Sequence, residues 1–164
     1  MPFIDPKDYY KNLPKKRVAV GALIFNDKKE ILVVKPSYRD YWIMPGGVVE
    51  KSESLSQALS RELKEELSLI IDIKNINLAI VDYRPEKFED NVQKDDSLQI
   101  VFDCGVINED IIKSIKIDND EIVDYRFLPI EESLKIISNP TKERLKSYFS
   151  SNKAVYLNDG SLFI

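Results

Sequence analysis

The chain contains no histidine, and this absence narrows its possible chemistry more than any other feature of the composition. It excludes Ser-His-Asp and Cys-His catalytic groups in their usual forms and the HExxH zinc motif. The side chain that most often transfers protons near neutral pH is also missing. Any catalysis must therefore use carboxylates, lysine, tyrosine or a metal-activated water. Oxygen ligands of this kind favour Mg²⁺ or Mn²⁺ over zinc.

Cysteine, long apolar runs and excess positive charge are scarce as well. The single cysteine, Cys104, excludes an internal disulfide and any multi-cysteine zinc site. No stretch approaches the roughly 18 uninterrupted apolar residues typical of a membrane span. The net charge of −4 gives no sign of an obligatory nucleic-acid partner. We therefore predict a soluble, cytoplasmic protein with no membrane association and no stable nucleic-acid partner.

The chain length of 164 residues predicts one domain over residues 1–164, with a core over about residues 13–150 and less certain ends. A hydrophobic fraction of 43% is enough to bury such a core. Apolar runs at the edges of the domain are compatible with a homodimer.

Hydrophobic periodicity divides the chain into short strands and amphipathic helices. The predicted strands are Arg17–Phe25, Ile31–Val34, Ile71–Ile73, Leu78–Tyr83, Leu98–Ile107 and Ile122–Leu128, with a shorter apolar piece at Trp42–Met44. The predicted helices are Ser54–Ser68, which has a Ser54/Gln57 capping box, Pro129–Ile137, and Pro140–Phe149 with Asn139 as its N-cap. Strands on both sides of a central helix predict an α/β fold with a mixed β-sheet flanked by helices.

The segment 47–69, GVVEKSESLSQALSRELKEELSL, holds the most informative cluster of residues. On a helix, Glu62 lies one turn from both Glu65 and Glu66, so the three carboxylates can converge on one side. Arg61 and Glu65 are also one turn apart. Carboxylates placed together can hold divalent cations, which in turn bind phosphate oxygens and acidify an attacking water. An acidic run alone is more often a solvated helix face, so the prediction depends on the whole pattern.

The whole pattern resembles the Nudix box, G-x5-E-x7-R-E-U-x-E-E-x-G-U with U apolar, which is the signature of the Nudix hydrolase family. The residues in register are Gly47, Glu53, Arg61, Glu62, Leu63, Glu65, Glu66 and Leu69. Ser68 replaces the usual glycine at the end of the helix, where a left-handed backbone is expected. The preceding Trp42–Gly47 segment also looks like the approach to the family's box. The resemblance implies a Nudix-like α/β/α sandwich.

The resemblance also implies roles for individual residues. Glu62, Glu65 and Glu66 would be metal ligands for Mg²⁺ or Mn²⁺, together with the backbone carbonyl of Gly47 or Gly46. Arg61 and Glu53 would orient them. The general base stays open between a box glutamate and a carboxylate from a later loop. The loop candidates are Glu121, just before a predicted strand, and more weakly Glu89, Asp95 and Asp96.

Candidate substrate contacts lie outside the box. Lys35, Arg39 and Arg84 could meet substrate phosphates, and Trp42 or Tyr83 could stack on a base. For the two aromatic residues, packing in the core or at its rim is the alternative interpretation. Tyr38 and Tyr41 lie in the same part of the chain as Trp42.

The leading functional prediction is hydrolysis of a phosphoanhydride in a nucleoside diphosphate linked to another group. The substrate would be a small nucleotide such as a nucleoside triphosphate, ADP-ribose or a nucleotide sugar. One alternative is a catalytically weak module that binds a nucleotide or metabolite, although degenerate family members usually lose box carboxylates. A second alternative, an acidic helical surface in an adaptor, leaves the Gly47–Glu53 spacing unexplained.

Overall fold

A computed structural model describes residues 5–89, 91–117, 120–151 and 153–162. The helices are α1 (Pro6–Lys11), α2 (Leu55–Leu67), α3 (Glu109–Ser114), α4 (Ile130–Ile136) and α5 (Asn139–Ser151), with a 3₁₀ turn at Ile73–Asn75. The strands are β1 (Arg17–Phe25), β2 (Ile31–Pro36), β3 (Asn77–Arg84), β4 (Lys87–Glu89), β5 (Val92–Lys94), β6 (Ser97–Val106), β7 (Ile122–Leu128), β8 (Val155–Asn158) and β9 (Ser161–Leu162). No helix in these ranges is both long and apolar enough to cross a membrane.

Seven strands form one mixed sheet in the order β7-β2-β1-β6-β3-β8-β9. The β1–β6 and β3–β8 pairs are parallel, and the other neighbouring pairs are antiparallel. β4 and β5 form a separate two-stranded sheet. The mixed sheet therefore agrees with the prediction from the sequence.

Helices cover both faces of this sheet, because its side chains alternate between two apolar clusters. One cluster contains Leu59, Leu63 and Leu67 of α2 packed against residues of β1 and β2. The other contains Leu145 of α5, together with Trp42 and residues of β1, β2 and β3. This arrangement confirms the α/β/α sandwich.

The segment that leads into the glutamate helix lies between β1 and β2. These two strands are in register only near their turn, at Phe25 and Ile31. Ile43 then bridges to β2, and Val48 bridges to β1. The segment between them is thereby fixed along β1, which determines where α2 begins.

Several sequence predictions differ from the structure. The predicted strand Ile71–Ile73 is wrong, because Asp72 accepts a hydrogen bond from the Lys74 N–H and caps a 3₁₀ turn there. The N-cap prediction for the last helix is one residue late, because the Ser138 Oγ accepts from the Thr141 N–H. The sheet also extends past residue 150, since β8 pairs with β3. Six short elements were not predicted, namely α1, α3, β4, β5, β8 and β9.

Helix α2 begins and ends as its sequence pattern indicates. Ser54 and Gln57 form the reciprocal capping box. At the other end Ser68 is left-handed, with φ 53° and ψ 25°. The Ser68 N–H donates to the Lys64 carbonyl, which is the hydrogen bond of an αL C-cap, and the Leu69 N–H donates to the Leu63 carbonyl. Ser68 therefore occupies a backbone conformation that glycine adopts more cheaply.

We expect Ser68→Gly to stabilise the protein by up to about 1 kcal/mol. Glycine relieves a left-handed strain of about 1–2 kcal/mol but loses roughly 0.5–1 kcal/mol through its more flexible unfolded chain. Urea unfolding measures the difference. Ser60→Gly, inside α2, is the matched control and should instead destabilise by about 0.5 kcal/mol. Equal destabilisation by both changes would show that Ser68 is not strained.

Candidate active site

Arg61 organises the acidic residues of α2 and of the loop before it. Its Nε and Nη2 donate to the two carboxylate oxygens of Glu53 at 2.9 and 3.0 Å. Its Nη1 donates to Glu62 and to Glu65, both at 2.9 Å. Its Nη2 also donates to the Val48 carbonyl at 3.0 Å. One planar guanidinium therefore ties the helix to the segment beside β1, as expected for a fork-shaped donor.

Two adjacent glycines bring the backbone close to these carboxylates. Gly46 has φ +130°, and a Cβ there would lie 2.3 Å from the Val20 carbonyl oxygen. Its N–H donates to Glu66 Oε2 at 2.8 Å, and Glu66 is only 3% exposed. A Cβ on Gly47 would lie 2.3–2.5 Å from the carboxylate of Glu62. Both positions therefore need glycine, Gly46 for the backbone and Gly47 for the Glu62 side chain.

Glu121 lies next to the same cluster. Its backbone carbonyl accepts the Ser37 N–H at 2.8 Å, which fixes the chain just before β7. Burial raises the pKa of Glu62, hydrogen bonding and charge from Arg61 oppose that shift, and the charges of Glu65 and Glu121 add to it. Glu121 is therefore close enough to Glu62 for the two charges to interact.

A cleft of about 710 Å³ opens on the other side of Gly46 and Gly47. Ala19 and Gly21 of β1 and Ser97 and Gln99 of β6 contribute to its lining. The cationic side chains along it are Arg17, Arg39, Arg84, Lys87, Lys94 and Arg144. Asp95 is the one acidic residue among the described residues that line the cleft. In a chain of net charge −4, this local excess of positive charge suits an anionic ligand.

A family model for the NUDIX domain matches residues 15–149. This chain belongs to the Nudix family. The match covers the box, the sheet from β1 to β7 and most of α5, so it includes both the glutamate cluster and the cleft. The family prediction from the box residues is thereby confirmed.

Individual relatives agree with this assignment. The nucleoside triphosphatase NudI of Salmonella newport is 31% identical over 125 residues, which are 72% of this chain and 85% of NudI. The 8-oxo-dGDP phosphatase NUDT18 of Danio rerio is 40% identical over 81 residues, which are 48% of this chain but only 23% of the relative. A MutT protein from Methanosarcina mazei Go1 has a similar structure, with TM-score 0.68 and 26% identity, over 87% of this chain and 99% of that one.

The structure separates the predicted substrate residues of this Nudix-family chain into two groups. Arg39 and Arg84 line the cleft. Lys35 does not, since its ammonium group donates to the Arg39 backbone carbonyl. Trp42 is 9% exposed and packs in the α5-side core with Arg126 over its ring. Tyr83 alternates with Arg84 along β3, and its hydroxyl donates to Asp96.

We therefore do not propose substrate contacts for Lys35, Trp42 or Tyr83. Two neighbouring aromatic residues, and not Trp42, present their rings to the cleft. Tyr38 and Tyr41 line the cleft, are 63% and 36% exposed, and hold the Arg39 guanidinium near both rings.

The chain has a donor set that suits a divalent cation. Within the described ranges no three carboxylates already converge as metal ligands, because Arg61 occupies the space between Glu62 and Glu65. However, the carboxylates of Glu53, Glu62 and Glu65 share this single guanidinium, and their oxygens are the ligands that Mg²⁺ and Mn²⁺ prefer. Pro45 and Gly47 direct their carbonyls to β1, which leaves the Gly46 carbonyl as the better backbone candidate.

Adding Mg²⁺ should raise the melting temperature more at about pH 8 than at about pH 5, because protons compete with the cation for Glu62. Because the pKa of Glu62 is raised in the folded protein, protonation of Glu62 stabilises the metal-free protein at low pH. In EDTA this stabilisation is lost as the pH rises through the pKa of Glu62. At a concentration of ten times its Kd, the cation should add about 1.4 kcal/mol to the free energy of unfolding, which raises the melting temperature by roughly 3–5 °C. Differential scanning fluorimetry with Mg²⁺ or with EDTA measures the melting temperature at both pH values. A Mg²⁺ effect that does not depend on pH would contradict a role for Glu62.

Some cleft residues were not predicted as site residues. Arg17 follows Lys15 and Lys16 at the start of β1, a short basic run that matches no site motif. Arg144 lies between Thr141 and Leu145 on the inward face of α5, and an arginine on such a face was a usable signal. Asp82, its buried partner, lies in the middle of an apolar strand, which was a second signal.

Proposed function

We propose that this Nudix hydrolase cleaves a phosphoanhydride in a nucleoside diphosphate linked to another group. The observation that carries the proposal is the position of the glutamate cluster at the wall of a cleft with excess positive charge. Gly46 and Gly47 line that cleft, and their other side contacts Glu66 and Glu62. The named activities of NudI and NUDT18, both directed at nucleoside phosphates, support the same substrate class.

Glu62, Glu65 and Glu66 would hold Mg²⁺ or Mn²⁺ together with the Gly46 carbonyl. When bound, such a cation neutralises phosphate charge and lowers the pKa of a coordinated water. Arg61 keeps the glutamates in place through Glu53. Hydrogen bonds from Arg61 and from the Glu50 N–H lower the pKa of Glu53, so that carboxylate stays charged and retains its partner.

We propose Glu121 as the general base. Its charge helps to raise the pKa of Glu62, whereas Asp96 is already engaged by Lys16 and by the Tyr83 hydroxyl. Asp95 lines the cleft, whereas none of Glu62, Glu65 and Glu66 does. The Glu89 side chain lies outside the described residues. In the proposed reaction, water attacks phosphorus, the P–O bond to the bridging oxygen breaks, and Glu121 accepts the proton of the water.

The rest of the cleft would bind the nucleotide. Arg39 can contact phosphate oxygens, and Tyr38 and Tyr41 present exposed rings on which a base can stack. Because every base has a π-face, these contacts indicate a nucleotide without selecting one base.

The test is an assay of the purified protein against a panel of substrates, with Mg²⁺ or Mn²⁺ and with EDTA. The panel contains nucleoside triphosphates, 8-oxo-dGDP, ADP-ribose, dinucleoside polyphosphates, NADH and nucleotide sugars, and chromatography identifies the products. We expect turnover of at least one compound that EDTA abolishes. Tight binding of a panel member without any turnover would instead favour the nucleotide- or metabolite-binding module.

A further inference from the structure

Three arginines converge at the end of the cleft that faces α5. Arg17, the first residue of β1, and Arg84, the last residue of β3, are both in register with Ser97 of the intervening β6. Adjacent strands are about 4.8 Å apart, so the two arginines flank Ser97 in one row across the sheet. Arg144 reaches the same face of the sheet from α5, and all three line the cleft.

Arg144 is buried but only partly paired. It is 8% exposed, and its Nε donates to the fully buried Asp82 at 2.8 Å. Within the described part of the chain, no other acceptor contacts its guanidinium group, which has five N–H donors. Every completely buried side-chain nitrogen in the described part of the chain has a hydrogen-bond partner. The Arg144 donors that have no partner are therefore not completely buried, and they open to the cleft that Arg144 lines. A buried cation with donors aimed into a cleft calls for an acceptor.

The charges around Arg144 leave this corner positive. Arg84 contacts Asp82 at 3.5 Å and Asp159 at 3.2 Å, and Lys87 also contacts Asp159. Across the described residues, Arg17 has no acidic partner within salt-bridge distance. This corner of the cleft therefore holds four cations and two carboxylates that contact them. The cations are Arg17, Arg84, Lys87 and Arg144, and the carboxylates are Asp82 and Asp159.

The three guanidinium groups also influence one another. Burial lowers the pKa of Arg144, Asp82 opposes that shift, and the charges of Arg84 and Arg17 add to the lowering. An anion placed among the three arginines would relieve this repulsion. Asp82 is a positioning residue, because it holds Arg144 and also accepts the Gly160 N–H at 3.0 Å.

We propose that Arg17, Arg84 and Arg144 form a second anion-binding subsite, which receives a phosphate or carboxylate other than the anhydride that is cleaved. Helix α2 packs against the face of the sheet opposite to α5, and none of Glu62, Glu65 and Glu66 lines the cleft, so this subsite is separate from the cluster that would hold the metal. The inference rests on the proposed function for its substrate. It narrows that substrate to a nucleoside diphosphate whose attached group carries its own negative charge.

The first experiment measures binding without any catalysis. Inorganic pyrophosphate is titrated into the protein in EDTA, so that metal-bridged binding at the glutamates is absent, and calorimetry measures the affinity. We expect binding that weakens about tenfold or more in Arg17→Met and in Arg84→Met, the loss expected for one charge-assisted hydrogen bond. Arg126→Met, an exposed arginine outside the cleft, is the matched control and should bind like the wild type. No binding, or equal binding by all four proteins, would overturn the proposal.

The second experiment compares substrates that differ by one remote anionic group. UDP-glucuronate against UDP-glucose tests a carboxylate, and NADPH against NADH tests a phosphate. In any pair that is hydrolysed, the charged member should have a KM about tenfold lower, and Arg17→Met and Arg84→Met should remove that difference. A difference that survives both substitutions would contradict the subsite. If the whole panel is inert, the proposed function fails, but the pyrophosphate titration still decides on the subsite.

Discussion

Replacing Glu66 by glutamine is expected to lower kcat/KM at least about 100-fold while the protein stays folded. Loss of a residue that merely supports a metal ligand costs roughly 10–100-fold, so loss of a ligand should cost no less. The glutamine oxygen can still accept the Gly46 N–H that Glu66 accepts at 2.8 Å, which preserves the local structure. Steady-state kinetics and circular dichroism on the same samples measure both effects.

Two further variants make this prediction specific. Glu65→Gln should also lose most activity, and because Glu65 is 58% exposed its folding should change little. Glu131→Gln removes an exposed carboxylate from the first turn of α4 and serves as the control with wild-type kinetics. Near-wild-type rates in both Glu66→Gln and Glu65→Gln would mean that the metal assignment is wrong.

Gly46→Ala should mainly lower the stability of the protein, whereas Gly47→Ala should mainly lower its reaction rate. Gly46→Ala places a Cβ 2.3 Å from the Val20 carbonyl at φ +130°, and neither backbone can move without breaking the bridge to β1. We expect a loss of at least about 3 kcal/mol, the sum of backbone strain and overpacking. Chemical denaturation should show this loss directly.

Gly47→Ala instead pushes only the end of the Glu62 side chain, which can rotate away. We expect stability within about 1 kcal/mol of the wild type but a rate up to about 100-fold lower, since misplacing a catalytic group by about 1 Å has effects of that size. If Gly47→Ala kept full activity, the position of Glu62 would not matter for the reaction. Comparable unfolding of both variants would show that Gly47 also supports the backbone.

The glutamate cluster could be predicted from the sequence because its members are close along the chain. Helical spacing brings Arg61 to Glu65, and the two side chains are hydrogen-bonded. The predicted convergence of Glu62, Glu65 and Glu66 is not present among the described residues, because Arg61 lies between Glu62 and Glu65. The left-handed Ser68 could also be anticipated, because it stands where the box that this segment resembles has a glycine at the end of the helix. In each case a local rule determines the geometry.

The arginine corner could not be predicted in the same way. Arg17, Arg84 and Arg144 are brought together by the parallel pairing of β1 with β6, the antiparallel pairing of β6 with β3 and the packing of α5. None of these long-range pairings is encoded by spacing along the chain. Similarly, the apolar piece Ile71–Ile73 has the composition of a strand, but Asp72 offers its backbone a local hydrogen bond that turns the chain.

The central claim is that the α2 glutamates hold the divalent cation on which hydrolysis depends. Its most direct test is Mn²⁺ binding, measured by electron paramagnetic resonance on the wild type and on Glu66→Gln, with hydrolysis assayed in the same samples. We predict that the variant binds Mn²⁺ at least about tenfold more weakly and loses activity in parallel. Equal Mn²⁺ affinity and equal rates in the two proteins would contradict the claim.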